Sequence, residues 1–549
     1  MENQTQKTPA RFTRFLTSPT LYAMLAVLVF LVSAILTLPD YGLAWDESLG
    51  NAFFGERYLY YYRTFDKNYL DFDAVPQTLA NLPLDLSAST WRDQPNVFPP
   101  FADTVAAGTL HLFSYTLNWL NPIDGLHLSA ILFAALLLVS LFFFLKKRVG
   151  AVPALIAVLA LASFPRFWGD AHFNIKDVPT TVLFALSIFS YVLWYEKPHW
   201  LKAILFGVLF GLTTLTKINA VFVPIVVMLG LWGSRWRSIS KGEFLPLLKQ
   251  FLLHHLFMVI AAFHTILLGW PLVSRDFHAF IEYVTRFMGQ GKRSGPAYFQ
   301  WETIRLTFAS MPEYFALFLL LGIGVAVFLL LRKKNPLYRL LLVWCLLPIV
   351  RIALPGMSNF DGIRHYLEFL PAAAALVGIG IWQTFQWLRS KTPKPVALSV
   401  PVLLTVLMVV NLADAFYAYR PYEFLYYNRI SGGTSGAIKA FGKDQASDYW
   451  AVSYRAGLEW INENAETDAG VFTPIGGEIV DITRRVLLRP DLKVISDEAQ
   501  ALSSAQPVYI MFINRPAFFK SLEKKLIAEE KPVYTIEKQG HVILFVFKR

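Results

Sequence analysis

The chain has almost no cysteine, little charge and none of the common cofactor fingerprints, and each lack excludes something. Cys345, inside an apolar run, is the single cysteine among 549 residues, so neither an internal disulfide nor a thiol metal cluster can form. Charged residues make up 16% of the chain, against the roughly 25% usual in soluble domains, while 55% are hydrophobic. That balance describes a polytopic membrane protein. A P-loop, a dinucleotide fingerprint and a nucleophile elbow are all missing. His111, His127, His172 and His365 lack ligand spacing such as H-x-x-x-H, which speaks against a protein-bound catalytic zinc. A divalent ion held jointly by Asp46, Glu47 and an incoming phosphate is left open. The net charge of +11 does not indicate a nucleic-acid partner, because the basic residues gather in short loops between apolar segments.

Those segments need about 20 mostly apolar residues each to cross a bilayer. Eleven stretches qualify: 20–38, 126–145, 150–167, 178–195, 202–217, 219–233, 251–270, 313–331, 337–354, 367–387 and 396–413. The first is long and lacks a small-x-small site after it, so it reads as an uncleaved span rather than a signal peptide. Lysine and arginine then orient the chain. Lys7/Arg11/Arg14, Lys146-Lys147-Arg148, Lys197/Lys202, Arg235/Arg237/Lys241/Lys249, Arg332-Lys333-Lys334 and Arg389/Lys391/Lys394 fall on alternate loops. This puts residues 1–19 in the cytoplasm of a multi-pass plasma membrane protein and the tail, 414–549, outside. The cytoplasmic loops hold only Glu196 and Glu243 as acids, too few for a nucleotide-sugar site on that face.

Three outer segments are long. The first, 39–125, opens on Trp45-Asp46-Glu47 and carries Phe54, Tyr58, Tyr61, Tyr62 and Phe65 at helical spacing, as in an amphipathic helix at the interface. The second, 271–312, contains Gly289-Gln-Gly-Lys-Arg-Ser-Gly-Pro296, a candidate lid or a plain surface loop. The tail reads as a small α/β domain, with helices at Tyr454–Asn464 and Ala517–Glu529 and β-like runs at Val508–Ile513, Val533–Ile536 and Val542–Phe547.

Polar clusters mark the outer span ends. Adjacent carboxylates at a membrane surface, Asp46 and Glu47, read as a functional site or as a solvated turn. His172, Asn174, Lys176 and Asp177 crowd one short loop, Lys217 stands in another, and Asp361, Arg364 and His365 in a third. Cations outside break the positive-inside pattern and call for anionic partners. Arg364 and His365 fit a lipid phosphate or an ion pair with Asp361 or Glu368; Lys217 fits a phosphate or a snorkelling span end; His172 fits substrate contact or local capping. Carboxylates at one site and cations at others suit a hydroxyl nucleophile attacking a phosphate-linked lipid, the carboxylate taking the proton.

Taken together, the pieces resemble the GT-C membrane glycosyltransferases, in particular bacterial relatives of the protein O-mannosyltransferases of glycosyltransferase family 39. The motifs are Trp45-Asp46-Glu47, Asn96-Val-Phe-Pro99-Pro100-Phe, His172-Phe-Asn174-Ile-Lys176-Asp177-Val-Pro179, Gly211-Leu-Thr-Thr-Leu-Thr-Lys217 and Ile363-Arg364-His365-Tyr366. Past the last span, Pro421-Tyr-Glu-Phe-Leu-Tyr426-Tyr427-Asn428 and Asp448-Tyr449-Trp450-Ala-Val-Ser453-Tyr454 extend the likeness. The resemblance implies a GT-C transmembrane domain over 20–413 with its catalytic loop outside, and a polyprenyl- or dolichyl-phosphate sugar donor, mannose among the candidates. It also implies inversion at the anomeric carbon, with Asp46 as base and Glu47 as its partner. No histidine precedes Pro99-Pro100, and 271–312 is too short for a β-trefoil, so the acceptor can be protein, lipid or glycan. A lipid-linked-sugar flippase or transporter is the alternative. It would place ionisable groups near the midplane and show repeated halves, and neither is found.

Overall fold

The computed structural model describes residues 18–95, 98–232, 241–290 and 295–549. The N-terminal Lys7, Arg11 and Arg14, Asn96, Arg235, Arg237 and the Lys292-Arg293 part of the glycine-rich patch lie outside the described residues.

All eleven apolar stretches carry helix. Among the described residues seven helices are long and apolar enough to cross a membrane, or eight if Ala151–Ala162 and Pro165–Ala171, bent by 66°, form one broken span. Trp200–Thr214, Ile218–Leu231 and Thr405–Tyr419 are apolar but shorter. The two stretches flanking Lys217 fall short for a physical reason. Lys217 is extended, at φ −157° and ψ 148°, and ends helical structure on both sides of itself.

Local sequence sets the helix ends. Helix α1 is Pro19–Thr37, with Ser18 capping the Thr20 N–H and a proline at the first position. After the outer-loop helices α2 (Ala52–Thr64) and α3 (Pro100–Leu110) comes α4, Pro122–Val149. Asn121 caps α4, Asp124 lies in its first turn and Lys146-Lys147-Arg148 in its last, each charge matched to the helix dipole. Gly150, at φ +102°, ends it. Helices α5 (Asp177–Glu196) and α6 (Leu370–Lys391) are the most buried of the candidate spans. Along α6 small residues permit close approach: a Cβ on Gly380 would stand 2.6 Å from Gly322 Cα.

Helix α7 (Gly477–Leu487) belongs to the tail, whose mixed sheet has the order β2-β1-β3-β5-β4. Here β1 is Gly470–Phe472, β2 Lys493–Ile495, β3 Val508–Ile513, β4 Tyr534–Lys538 and β5 His541–Lys548. β1 pairs in parallel with β2 and β3, and β5 runs antiparallel to β3 and β4. The sequence reading missed β1 and β2, since three-residue strands carry too little periodicity to register, and α7, which follows Gly476 without a capping side chain to announce it. The second tail helix begins at Ser521, later than expected, after a short 3₁₀ turn at Pro516–Phe518.

Two large cores hold the described residues together, beside a small cluster around Leu306, Tyr427 and Ala437. One lies between the membrane helices, around Leu138, Phe184, Trp344 and Ala374. The other joins the first outer loop (Tyr41, Leu43, Phe53, Tyr58) to the tail (Trp450, Leu458, Phe512, Leu544). The first half of α2 is therefore packed into protein: Phe54 and Tyr58 are fully buried, and Phe65 is the exposed member of the aromatic series. This corrects the expectation of an amphipathic helix lying in the membrane interface, because α3 and the neighbouring loop residues Phe72 and Phe98 cover its first half.

Candidate active site

The segment leading to Asp46 is held against the tail before any side chain is considered. The Trp45 N–H donates to Trp450 O at 2.8 Å, bridging the first loop and the tail. Gly42 is required by proximity, as a Cβ there would stand 2.5 Å from Val452 O. Asp46 precedes a π-helical turn, Glu47–Asn51, a wide turn that recurs at functional sites.

The two adjacent carboxylates face different surroundings. Glu47 is buried: Oε2 accepts the Ala44 N–H at 2.7 Å and stands 2.9 Å from His127 Nε2, while Oε1 has no partner. Burial pushes its carboxyl up, and His127 opposes the shift. Asp46 is 44% exposed at its side chain, and its Oδ2 accepts from Arg364 Nη1 at 2.6 Å. The pair thus does not converge on one point in this arrangement, and among the described residues no group of three His, Cys, Asp or Glu is placed to hold a metal ion.

Asp46 opens onto a cavity of about 720 Å³. Lys176, Asp177, Lys217, Asp361, Arg364 and His365 line it too, so four segments that are separate in sequence converge there. Each cation is spoken for. Lys176 Nζ donates to Asp103 Oδ2 at 2.7 Å and to Pro99 O at 2.8 Å. Burial pushes the Lys176 amine down and the Asp103 carboxyl up, with their mutual attraction opposing both. Lys217 donates to Asp177 Oδ1. Asn174 stands behind the wall, its amide 3.0 Å from Asp177 Oδ2 and its Oδ1 capping the Asp177 N–H. Arg364 bridges Asp46 and Asp361 (3.1 Å) and lies 4.3 Å from the Trp450 ring.

His172 is not a lining residue. Its Nδ1 donates to Trp168 O at 2.7 Å, its Nε2 is 2.8 Å from Thr37 Oγ1, and its ring stacks 4.3 Å from Tyr41. Burial holds it far below the ordinary imidazole range, at about 3, so it is a neutral strut under the loop. Of the sequence-derived candidates, Asp46, Lys176, Asp177, Lys217, Arg364 and His365 come together, and Glu47, His172 and Asn174 stand behind them.

Sequence reasoning missed Asp103, Glu478 and Arg515. Asp103 follows the Pro99-Pro100 motif closely and could have been suspected as a lone acid in an apolar helix. Glu478 and Arg515 sit in soluble-looking tail sequence without any such signal. Glu478 Oε1 accepts from Trp45 Nε1 at 2.6 Å, and Arg515 Nη2 donates to Asp361 Oδ1 at 2.6 Å.

Comparison with known proteins adds a family and a fold. Residues 99–266 match the family described as dolichyl-phosphate-mannose-protein mannosyltransferase. No curated protein sequence matches the chain. Among solved structures, ArnT from Cupriavidus metallidurans bound to undecaprenyl phosphate aligns over 96% of this chain and 98% of its own, at 14% identity and a TM-score of 0.52. The same protein in the apo state gives 13% identity and a TM-score of 0.49, over 96% of this chain and 98% of its own. The archaeal oligosaccharyltransferase AglB from Archaeoglobus fulgidus gives 12% identity and 0.48, over 89% of this chain and 69% of its own. The chain thus has the GT-C fold seen in ArnT along nearly its whole length, in a multi-span membrane protein, with a segment inside it similar to the mannosyltransferase family.

Proposed function

We propose that this enzyme moves a sugar from a polyprenyl-phosphate donor to an acceptor hydroxyl on the outer face of the plasma membrane, with inversion at the anomeric carbon. The observation that carries the reading is the convergence of Asp46, Lys176, Lys217 and Arg364 on one cavity of about 720 Å³. The similar ArnT structure holds undecaprenyl phosphate. The N-terminus is then cytoplasmic and the tail domain extracytoplasmic, as the basic loops require.

In this mechanism Asp46 takes the proton from the acceptor hydroxyl as its oxygen attacks the anomeric carbon. The bond from that carbon to the phosphate oxygen breaks, and the electron pair leaves with the phosphate. Arg364, aided by Lys217 and Lys176, holds the departing anion through charge-assisted hydrogen bonds. In the resting structure Arg364 Nη1 occupies Asp46 Oδ2, so that oxygen is not available to an acceptor hydroxyl. An entering phosphate competes for the guanidinium and frees the carboxylate. Glu47, fixed by His127 and the Ala44 N–H, holds the backbone turn on which Asp46 rides.

The test is the purified protein in vesicles with a polyprenyl-phosphate sugar. Release of polyprenyl phosphate that depends on an acceptor supports the reading; movement of the lipid-linked sugar across the bilayer without bond cleavage overturns it in favour of a flippase.

A further inference from the structure

The tail supplies one wall of the cavity. Glu478 lies in the first turn of α7, and Arg515 and Phe518 stand in the loop after β3. They assemble around Trp45, whose ring lies 5.1 Å from Phe518 and whose indole N–H is fixed by Glu478 at 2.6 Å. The Arg515 guanidinium lies 4.8 Å from the Phe518 ring. Four buried polar atoms on lining residues have no partner: Arg364 Nε and His365 Nε2 on the side of the membrane helices, and Arg515 Nε and Trp450 Nε1 on the side of the tail. Donors left over on the tail side of a cavity wall are available to the acceptors of a ligand seated there.

We propose that this wall is the acceptor subsite and that it takes a carbohydrate, a glycan or the sugar headgroup of a glycolipid, rather than a serine or threonine in a peptide. The inference rests on the glycosyl-transfer reading above and narrows its acceptor. Flat indole and phenyl faces match the C–H faces of a sugar ring, while a carboxylate and a guanidinium beside them match its hydroxyls. Peptides are commonly captured by main-chain pairing at a sheet edge. None of the tail residues lining the cavity belongs to a strand, so that mode has no edge to use here.

The experiment compares cells that make the wild-type protein with cells making Asp46→Asn, Glu478→Gln or Phe518→Ala, using the cells' own donor. Sugar on glycolipid and glycan fractions, resistant to protease, and sugar on protein are each measured by mass spectrometry. The proposal expects a protease-resistant product that vanishes in Asp46→Asn. It also expects isolated membranes of Glu478→Gln and Phe518→Ala to need about tenfold more of that acceptor for half-maximal transfer, the loss of one contact to a charged or stacked group. Donor affinity should stay within about twofold, which also shows that the variants are folded. A product carried on protein overturns the carbohydrate acceptor while leaving the transferase reading intact. Unchanged acceptor dependence in both tail variants overturns the subsite. If no fraction differs between wild type and Asp46→Asn, the transferase reading fails first and the proposal with it.

Discussion

Replacing Asp46 by asparagine should separate two roles that the resting structure ties together. The amide keeps the shape of the side chain but loses the basic oxygen, so turnover should fall by at least about 10²-fold. Binding of the donor should move the other way. Asp46 holds Arg364 at 2.6 Å but is 44% exposed, so the contact is worth only about 1 kcal/mol after solvent screening. Relieving the donor phosphate of that competition should tighten its binding by roughly fivefold. Single-turnover transfer and equilibrium binding of a polyprenyl-phosphate sugar, measured on the same preparation, read both numbers. Near-normal transfer by Asp46→Asn would refute the assignment of the base. Loss of donor affinity alongside loss of transfer would show that the pair is a needed part of the donor site, and that the competition argument is wrong.

Arg364→Ala should weaken donor binding at least tenfold with little change in thermal unfolding, and unchanged affinity would remove arginine from the phosphate site. Gly42→Ala should destabilise the protein by about 1–3 kcal/mol, because the new methyl meets the Val452 carbonyl at 2.5 Å and backbone is slow to yield; an unchanged unfolding midpoint would refute this. Glu423, whose Oε2 accepts from the Tyr41 hydroxyl at 2.6 Å, is pushed by burial from the ordinary 4.5 to about 7. Its folded form binds the proton more tightly than the unfolded chain, so its contribution is fully present below about 4.5 and is lost as pH rises through about 7. Glu423→Gln keeps an acceptor without the charge, so the unfolding midpoint should depend less on pH between those values, and an unaltered profile would count against it. Truncation at residue 414 should abolish transfer and expose the first outer loop to protease, since that loop shares its core with the tail; full turnover would refute the dependence.

What the sequence made legible was whatever carries its signal locally. Apolar runs marked every membrane helix, because the bilayer imposes length and hydropathy on each one separately. Asp46, Lys217 and Arg364 stood out because a charge at a span end is costly enough to demand a reason. The partners of those charges were not legible. Nothing around Arg515 announces that it will meet Asp361, and Glu478 looks like any acid in the first turn of a helix. His127 lies in an apolar run, and its use as a clamp on Glu47 depends on two segments meeting edge to edge. The difference between Asp46 and Glu47 follows the same logic. As neighbours they read as one unit, and only the packing sends one into the cavity and the other into the core.

The backbone bond from Trp45 to Trp450 has a consequence for how the molecule comes into being. The loop bearing Asp46 leaves the ribosome long before its anchor at Trp450. Until the tail has folded, the loop lacks the part of its core that the tail supplies, and the wall formed by Glu478 and Arg515 does not exist. A half-made chain, already threaded through the bilayer, would therefore be inert toward any activated lipid it met. Folding of the tail itself sets the moment at which the cavity is complete.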